Sequence, residues 1–289
     1  MAHLVQCEEL PVAHHIGFSP FESLARAVCG SHWRKALFLM MHAYFDCSQS
    51  GQGNGVLVVA GWLSSGERWL RFEADWRSVL HKFNVPHFHM KEFAHSVGAF
   101  TNGWKGENDK RELFIRSLLS VIYDHAMASF SCMVENSVFA AVNQEYQLRE
   151  YFGNEYALCS RVCVAEVNKW IRAHGYPMPP EYVFEDGDER GRLNWLMESQ
   201  GYPPPIYKPG RDRTAKDGTL IPGFLQLQAA DFAAYELRKG WDDFGETKEI
   251  SRYRKSFLAV GKVVGEGFWG RCTEDDLRQI CIGLGVPKR

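Results

Sequence analysis

Acidic residues set in apolar surroundings are where this sequence could do chemistry. Asp46 closes the apolar run KALFLMMHAYFD, and Glu185 and Asp186 close a second, YVFED, with Asp188 just beyond. Asp231 lies in LQLQAADFAAYEL, where Leu227, Ala230, Ala234 and Leu237 recur at helical spacing and Gln228 and Tyr235 share the flank of Asp231. Glu92 stands in PHFHMKEF beside His87, His89 and Lys91. A carboxylate held against a core is costly unless something pairs with it. Three that meet without basic partners repel strongly; divalent cations are the usual resolution, and hard oxygen ligands select Mg²⁺ or Mn²⁺. Two such ions ~3.5–4 Å apart can activate water and stabilise the leaving oxygen of a phosphodiester.

The chemistry expected is therefore that of a two-metal nuclease acting on DNA or RNA. Asp46, Glu185, Asp186 and Asp231 are the expected metal ligands and catalytic carboxylates, with Gln228 and Tyr235 orienting Asp231. His89 and Glu92 are expected in the same cleft, His89 shuttling a proton to the leaving group and Lys91 steadying a phosphate. The stretch YKPGRDRTAKDG carries Lys208, Arg211, Arg213 and Lys216 against Asp212 and Asp217, four minus two giving +2. It reads as a basic loop just before the Asp231 helix, where a phosphate backbone would run.

Each feature has a plainer reading. Asp46 could be a turn residue, EDGDERG a solvated turn, Asp231 the partner of an Arg, Glu92 a surface acid, and the basic stretch a solvated loop. Two rival functions follow. One is a binding module on the same fold, without turnover. The other is a zinc hydrolase using His87 and His89, which share a face if their segment is extended.

The bulk properties allow these readings. Net charge is −2 over 289 residues, which argues against a histone-like binder but not against a nuclease with a local groove. The cysteines, at 7, 29, 47, 132, 159, 163, 272 and 281, form no CxxC pair and read as reduced thiols of a cytoplasmic protein, Cys159 and Cys163 as packing. The N-terminus lacks the pattern of a signal peptide, and no apolar run approaches the ~20 residues of a membrane span.

The elements that must position the acids can be read in order. KALFLMMHAYFDCS is a strand ending at Asp46, SQSGQGNG a turn, and VLVVAGWLS a second strand. SSGERWLRFEADWRSVLHKF is a helix whose stripe is Trp69, Phe72, Trp76, Leu80 and Phe83, with Ser64 and Glu67 as a capping box. KRELFIRSLLSVIYDH and EYALCSRVCVAEVNKWIRAHG are helices, AMASFSCMVE and EYVFE strands, RLNWLMESQG a short helix and PPPIYKPG extended. RKSFLAVGKVV is a strand or a helix. TEDDLRQICIGLG is a terminal helix with Thr273 as cap and Asp276 at its third position. Residues 1–37 are an N-terminal extension, with FESLARAVCG a short helix, and 38–289 form the main domain. Strands alternating with helices after an opening hairpin predict an α/β fold, a mixed sheet flanked by helices.

The strings AYFDCSQS…VLVVAGWLS, PHFHMKEF, YVFEDGD and FLQLQAADFAAYEL together resemble the successive motifs of the family labelled domain of unknown function 3800, over about residues 38–240. The late helix carries the most specific part. The resemblance implies a ribonuclease-H-like fold and metal-dependent phosphodiester chemistry. It implies Asp46 as the central ligand, Glu185 or Asp186 as the second and Asp231 as the third. The chain departs from the family pattern at Cys47, where Glu is usual; a thiol cannot replace a hard carboxylate ligand for Mg²⁺.

Overall fold

The structure, a computed structural model, describes residues 40–50, 55–187, 190–245, 254–263 and 265–289, with Ser23, Arg26 and Ala27. The expected N-terminal extension and its helix, the middle of the SQSGQGNG turn and Asp188 lie outside the described residues.

Strands β1 (Met41–Gln49) and β2 (Val56–Ser65) form the opening hairpin, followed by α1 (Gly66–Lys82). Next come the short α2 (Met90–His95), a 3₁₀ turn at Gly98–Phe100 and α3 (Asn108–His125). β3 (Ala128–Glu135) leads through α4 (Asn136–Glu145) and α5 (Leu148–Phe152) to α6 (Glu155–Ala173) and β4 (Glu181–Glu185). After α7 (Arg190–Ser199) the chain forms the edge strand β5 (Ile206–Lys208) and a small hairpin, β6 (Arg213–Thr214) and β7 (Leu220–Ile221). α8 (Leu225–Phe244), α9 (Lys255–Val263), β8 (Gly267–Cys272) and α10 (Glu274–Leu284) complete it.

Six strands make one mixed sheet in the order β5-β4-β1-β2-β3-β8. β1, β2 and β3 are antiparallel neighbours; β4 runs parallel to β1, β5 to β4 and β8 to β3. Side chains alternate across a strand, so β1 divides its residues between two cores. Met41, Ala43 and Phe45 join α6, α7 and α10 on one face. Tyr44 faces the other way, against α1, α3 and α8. That second face is rich in rings. Phe88, Phe93, Phe100, Trp104 and Phe114 pack at edge-to-face and tilted angles around the segment that carries α2, a geometry that favours one fixed arrangement.

Several expectations change. β1 does not stop at Asp46 but pairs with β2 as far as Gln49. What does stop there is the β1–β4 pairing, whose last pair is Phe45 with Phe184. The cap of α1 is Ser65, which accepts from the Arg68 amide, because the buried Ser64 hydroxyl donates to the carbonyl of His125 at 2.6 Å. The basic stretch is not an open loop: it supplies β5 and the β6–β7 hairpin, closed by Ala215 N to Thr219 O at 2.8 Å. RKSFLAVGKVV forms the helix α9, and the Thr273–Asp276 capping box is present on α10. α4, α5 and β8 are additions that the sequence reading lacks. Cys159 and Cys163 are buried in the second core beside Cys132 and Cys272, and the described cysteines are free thiols. Among the described residues no helix is long and apolar enough to cross a membrane.

Candidate carboxylate site

The register of two strands creates the site. Phe45 pairs with Phe184 in parallel, so the next residues, Asp46 and Glu185, emerge side by side on the sheet face opposite those two rings. Helix α8 lies across the same face, fixed to β2 by the Trp62 indole, which donates to Ala229 O at 2.9 Å. Asp231 stands two residues beyond Ala229 on that helix. The expected convergence of Asp46, Glu185 and Asp231 is present.

Their electrostatics follow from that closeness. Burial raises the Asp46 pKa well above the carboxylate range. The charges of Glu185 and Asp231 and a hydrogen bond shared with Glu185 add to it, against the Cys47 amide, which donates to Asp46 Oδ1 at 2.6 Å. Like charges this close, in a buried setting, favour the protonated form of Asp46. Burial also pushes Asp231 up, to about 6; His89 and the Met90 amide oppose this, while Glu185 and Glu92 reinforce it. The Met90 amide donates to Asp231 Oδ2 at 2.5 Å, tying α8 to the first turn of α2.

Glu185 accepts from the Gly210 amide at 3.3 Å. A Cβ at position 210 would stand 2.9 Å from Glu185 Oε1, so a side chain there would push the Glu185 carboxylate aside. Together His89, Glu185, Arg211 and Asp231 line a pocket of about 60 Å³, a size for water or ions. Among the described residues no three His, Cys, Asp or Glu side chains stand as a ready ligand set.

Glu92 is the organiser of the next layer. Its carboxylate takes Arg211 Nη1 at 2.8 Å, His87 Nε2 at 3.3 Å and the Ala99 amide at 3.2 Å, with His89 Nδ1 at 3.5 Å. Burial opposes its ionisation, but the Ala99 amide and the two imidazoles outweigh burial, and its pKa lies below the ordinary value. The two histidines thus meet on Glu92, and His89 also lines the carboxylate pocket. Gln228 is a clamp. Its oxygen accepts from Trp76 Nε1 at 3.0 Å and the Phe88 amide at 2.9 Å, and its nitrogen donates to Gly210 O at 2.9 Å. It positions Asp231 indirectly, by holding the Phe88–Met90 and Gly210 segments. Tyr235 is buried further along, with the Arg238 guanidinium 4.8 Å from its ring.

The remaining expected residues separate. Asp186 is one residue beyond the strand; its amide donates to Lys208 O at 2.9 Å and its carboxylate pairs with Arg213. Glu185, not Asp186, is the acid brought to Asp46. Arg211 and Arg213 are half exposed, each already bound to an acid of the chain. Lys208 lies over the Phe224 ring at 5.6 Å, and Lys91 is exposed on α2. Cys47, paired with Val59, leaves β1 on the face opposite Asp46. The departure from Glu there removes no carboxylate from the Asp46 face. Sequence reasoning missed Gly210, the Met90 amide and the Arg238–Ser48 bond at 2.8 Å. The KPG string was a signal for the first; the others depend on how α8 crosses the sheet.

No family model matches the chain, and a search of the curated proteins finds no match. The fold and site define it as an α/β protein with a part-buried three-carboxylate cluster at the end of a parallel strand pair.

Proposed function

We propose that the protein is a metal-dependent nuclease of the ribonuclease-H-like kind, related to the domain of unknown function 3800 family, acting on DNA or RNA. The observation that carries the reading is the meeting of Asp46, Glu185 and Asp231 at one point of the sheet, set by the Phe45–Phe184 register and the crossing of α8. An all-oxygen set of this kind suits Mg²⁺ or Mn²⁺, and Asp46, Glu185 and Asp231 are the residues that would hold them. Bound there, two ions would supply an activated water and charge stabilisation for the leaving oxygen. The protein's part is to present Asp46 and Glu185 side by side from β1 and β4, to keep Asp231 aimed through the Met90 amide, and to hold His89 beside the pocket through Glu92 as a proton donor. Arg211, which lines the pocket, and Lys208, beside Glu185 in the β4–β5 pair, are the nearest contacts for a phosphate backbone, with Arg213 and Lys91 further out. The six described free thiols support a cytoplasmic location.

Mn²⁺ titrated calorimetrically into the wild type and Asp231→Asn tests this. Wild type is expected to bind and the variant to bind at least ten-fold more weakly, about 1.4 kcal/mol or more. Binding together with Mn²⁺-dependent cleavage of labelled DNA or RNA supports the nuclease. Binding of metal and polymer without cleavage points instead to a module without turnover. Absence of metal binding in the wild type overturns both.

A further inference from the structure

A second, larger pocket of about 450 Å³ adjoins the carboxylates. The two are walled by one stretch of chain: Phe88 and His89 face the carboxylate pocket, while Val85, Pro86 and His87 face the larger one. Arg211 and Asp212 divide in the same way, and Gln228 is a wall of both. Anything lying across that boundary has one part beside Asp231 and Glu185 and the next part in the larger pocket.

Its lining selects a ligand. Leu80, Val85, Pro86, Pro222 and Leu225 give apolar walls. Arg77 and His81, one turn apart on α1, stand at the rim; the Arg77 guanidinium is half exposed, with a long 3.5 Å pair to Glu73. Asp212 supplies a carboxylate, anchored by the Gly223 amide to its Oδ1 at 2.7 Å. Gln228 has its amide committed to three bonds and acts as a wall. A bare phosphate would be repelled by Asp212 and would leave the apolar walls unused. A purely apolar ligand would leave Arg77 and Asp212 unused. A nucleotide matches all three: a flat base for the prolines and leucines, a hydroxyl or amino donor for Asp212, and an anionic group for Arg77 and His81. The volume lies in the range of small-ligand pockets, about 300–1,000 Å³, which suits one nucleotide and excludes a duplex.

Building on the nuclease reading, we propose that this pocket receives one unpaired nucleotide of the substrate, adjacent to the bond that is cut. The substrate is then single-stranded or frayed at the cleavage point. The base is held by packing, so discrimination among bases is weak.

The test is calorimetric titration of AMP, UMP and ribose 5-phosphate into the wild type and into Pro222→Trp, which fills the pocket from an exposed position. AMP and UMP are expected to bind saturably, within ten-fold of each other and at least ten-fold more tightly than ribose 5-phosphate. Pro222→Trp should weaken both nucleotides at least ten-fold while leaving Mn²⁺ affinity within two-fold. Photolabelling of the wild type with 8-azido-AMP needs no variant and should mark peptides within 77–87 or 212–225. The proposal is overturned if no nucleotide binds, if ribose 5-phosphate binds as well as AMP, if the filled variant binds undiminished, or if the label lands elsewhere. Loss of the nuclease reading shows separately, as wild type that binds nucleotide but no Mn²⁺.

Discussion

At the scale of single residues, Gln228 and Gly98 carry expectations beyond the carboxylates. Gln228→Ala would strand the Trp76 indole N–H, the Phe88 amide and the Gly210 carbonyl in a buried setting. An unsatisfied buried group costs about 1–3 kcal/mol, so urea unfolding should show a loss of about 3 kcal/mol or more. Mn²⁺ affinity should fall with it, because the Met90 and Gly210 amides that address Asp231 and Glu185 lose their anchor. Gly98 tests Glu92 in a different way. Its φ is +57°, and a Cβ there would meet Glu92 Oε2 at 2.2 Å. Gly98→Ala must therefore both occupy a left-handed conformation, costing about 1–2 kcal/mol, and push the Glu92 carboxylate from its place. The expected result is a lower Tm together with weakened polymer binding, since Glu92 holds Arg211 and His87. A variant with unchanged Tm and unchanged binding would show that Glu92 is a bystander.

At the scale of elements, the two sides of the sheet should separate in experiment. Thr273→Ala removes the capping box of α10, which packs with the second core, away from the carboxylates. Loss of such a cap costs about 1 kcal/mol, so stability should fall while Mn²⁺ binding stays as it was. A change in metal affinity would mean that the sheet transmits strain from one face to the other. This separation also explains what could be read from the sequence. The α10 cap is local, so Thr273 and Asp276 announced it. The capping of α1 is not, because the fate of the Ser64 hydroxyl is decided by His125, sixty-one positions away, and the cap moves to Ser65. Asp46 and Asp231 were legible because each interrupts an apolar pattern. The choice between Glu185 and Asp186 was not, since a one-residue step reverses the face and only the pairing of Phe45 with Phe184 sets it. β8 is short and broken by two glycines around its Phe-Trp pair, so its strand form depends on the pairing with β3.

At the scale of the whole molecule, the cluster ties folding to pH and metal. In the unfolded chain Asp231 titrates near the ordinary carboxylate value, about 3.9, whereas in the folded protein burial lifts it to about 6. Asp46 is displaced in the same direction. A carboxyl with a raised folded pKa binds its proton more tightly in the native state, so its favourable contribution is complete below the unfolded pKa. That contribution is lost as pH rises through the folded value. The metal-free protein should accordingly lose thermal stability between about pH 4 and pH 6 and beyond, the reverse of what a carboxylate paired with a cationic side chain would do. A divalent cation replaces the proton as the charge partner and competes with it, so Mn²⁺ should raise Tm little at pH 5 and much more at pH 7.5. Asp231→Asn keeps the shape and removes one of the displaced acids, so its metal-free stability should fall less steeply with pH. It should also show a smaller Mn²⁺-induced rise at pH 7.5. Scanning calorimetry of wild type and variant at both pH values, with and without Mn²⁺, measures all of these together. A wild-type stability that climbs from pH 4 to pH 7.5 without metal would mean that the three acids do not share one site.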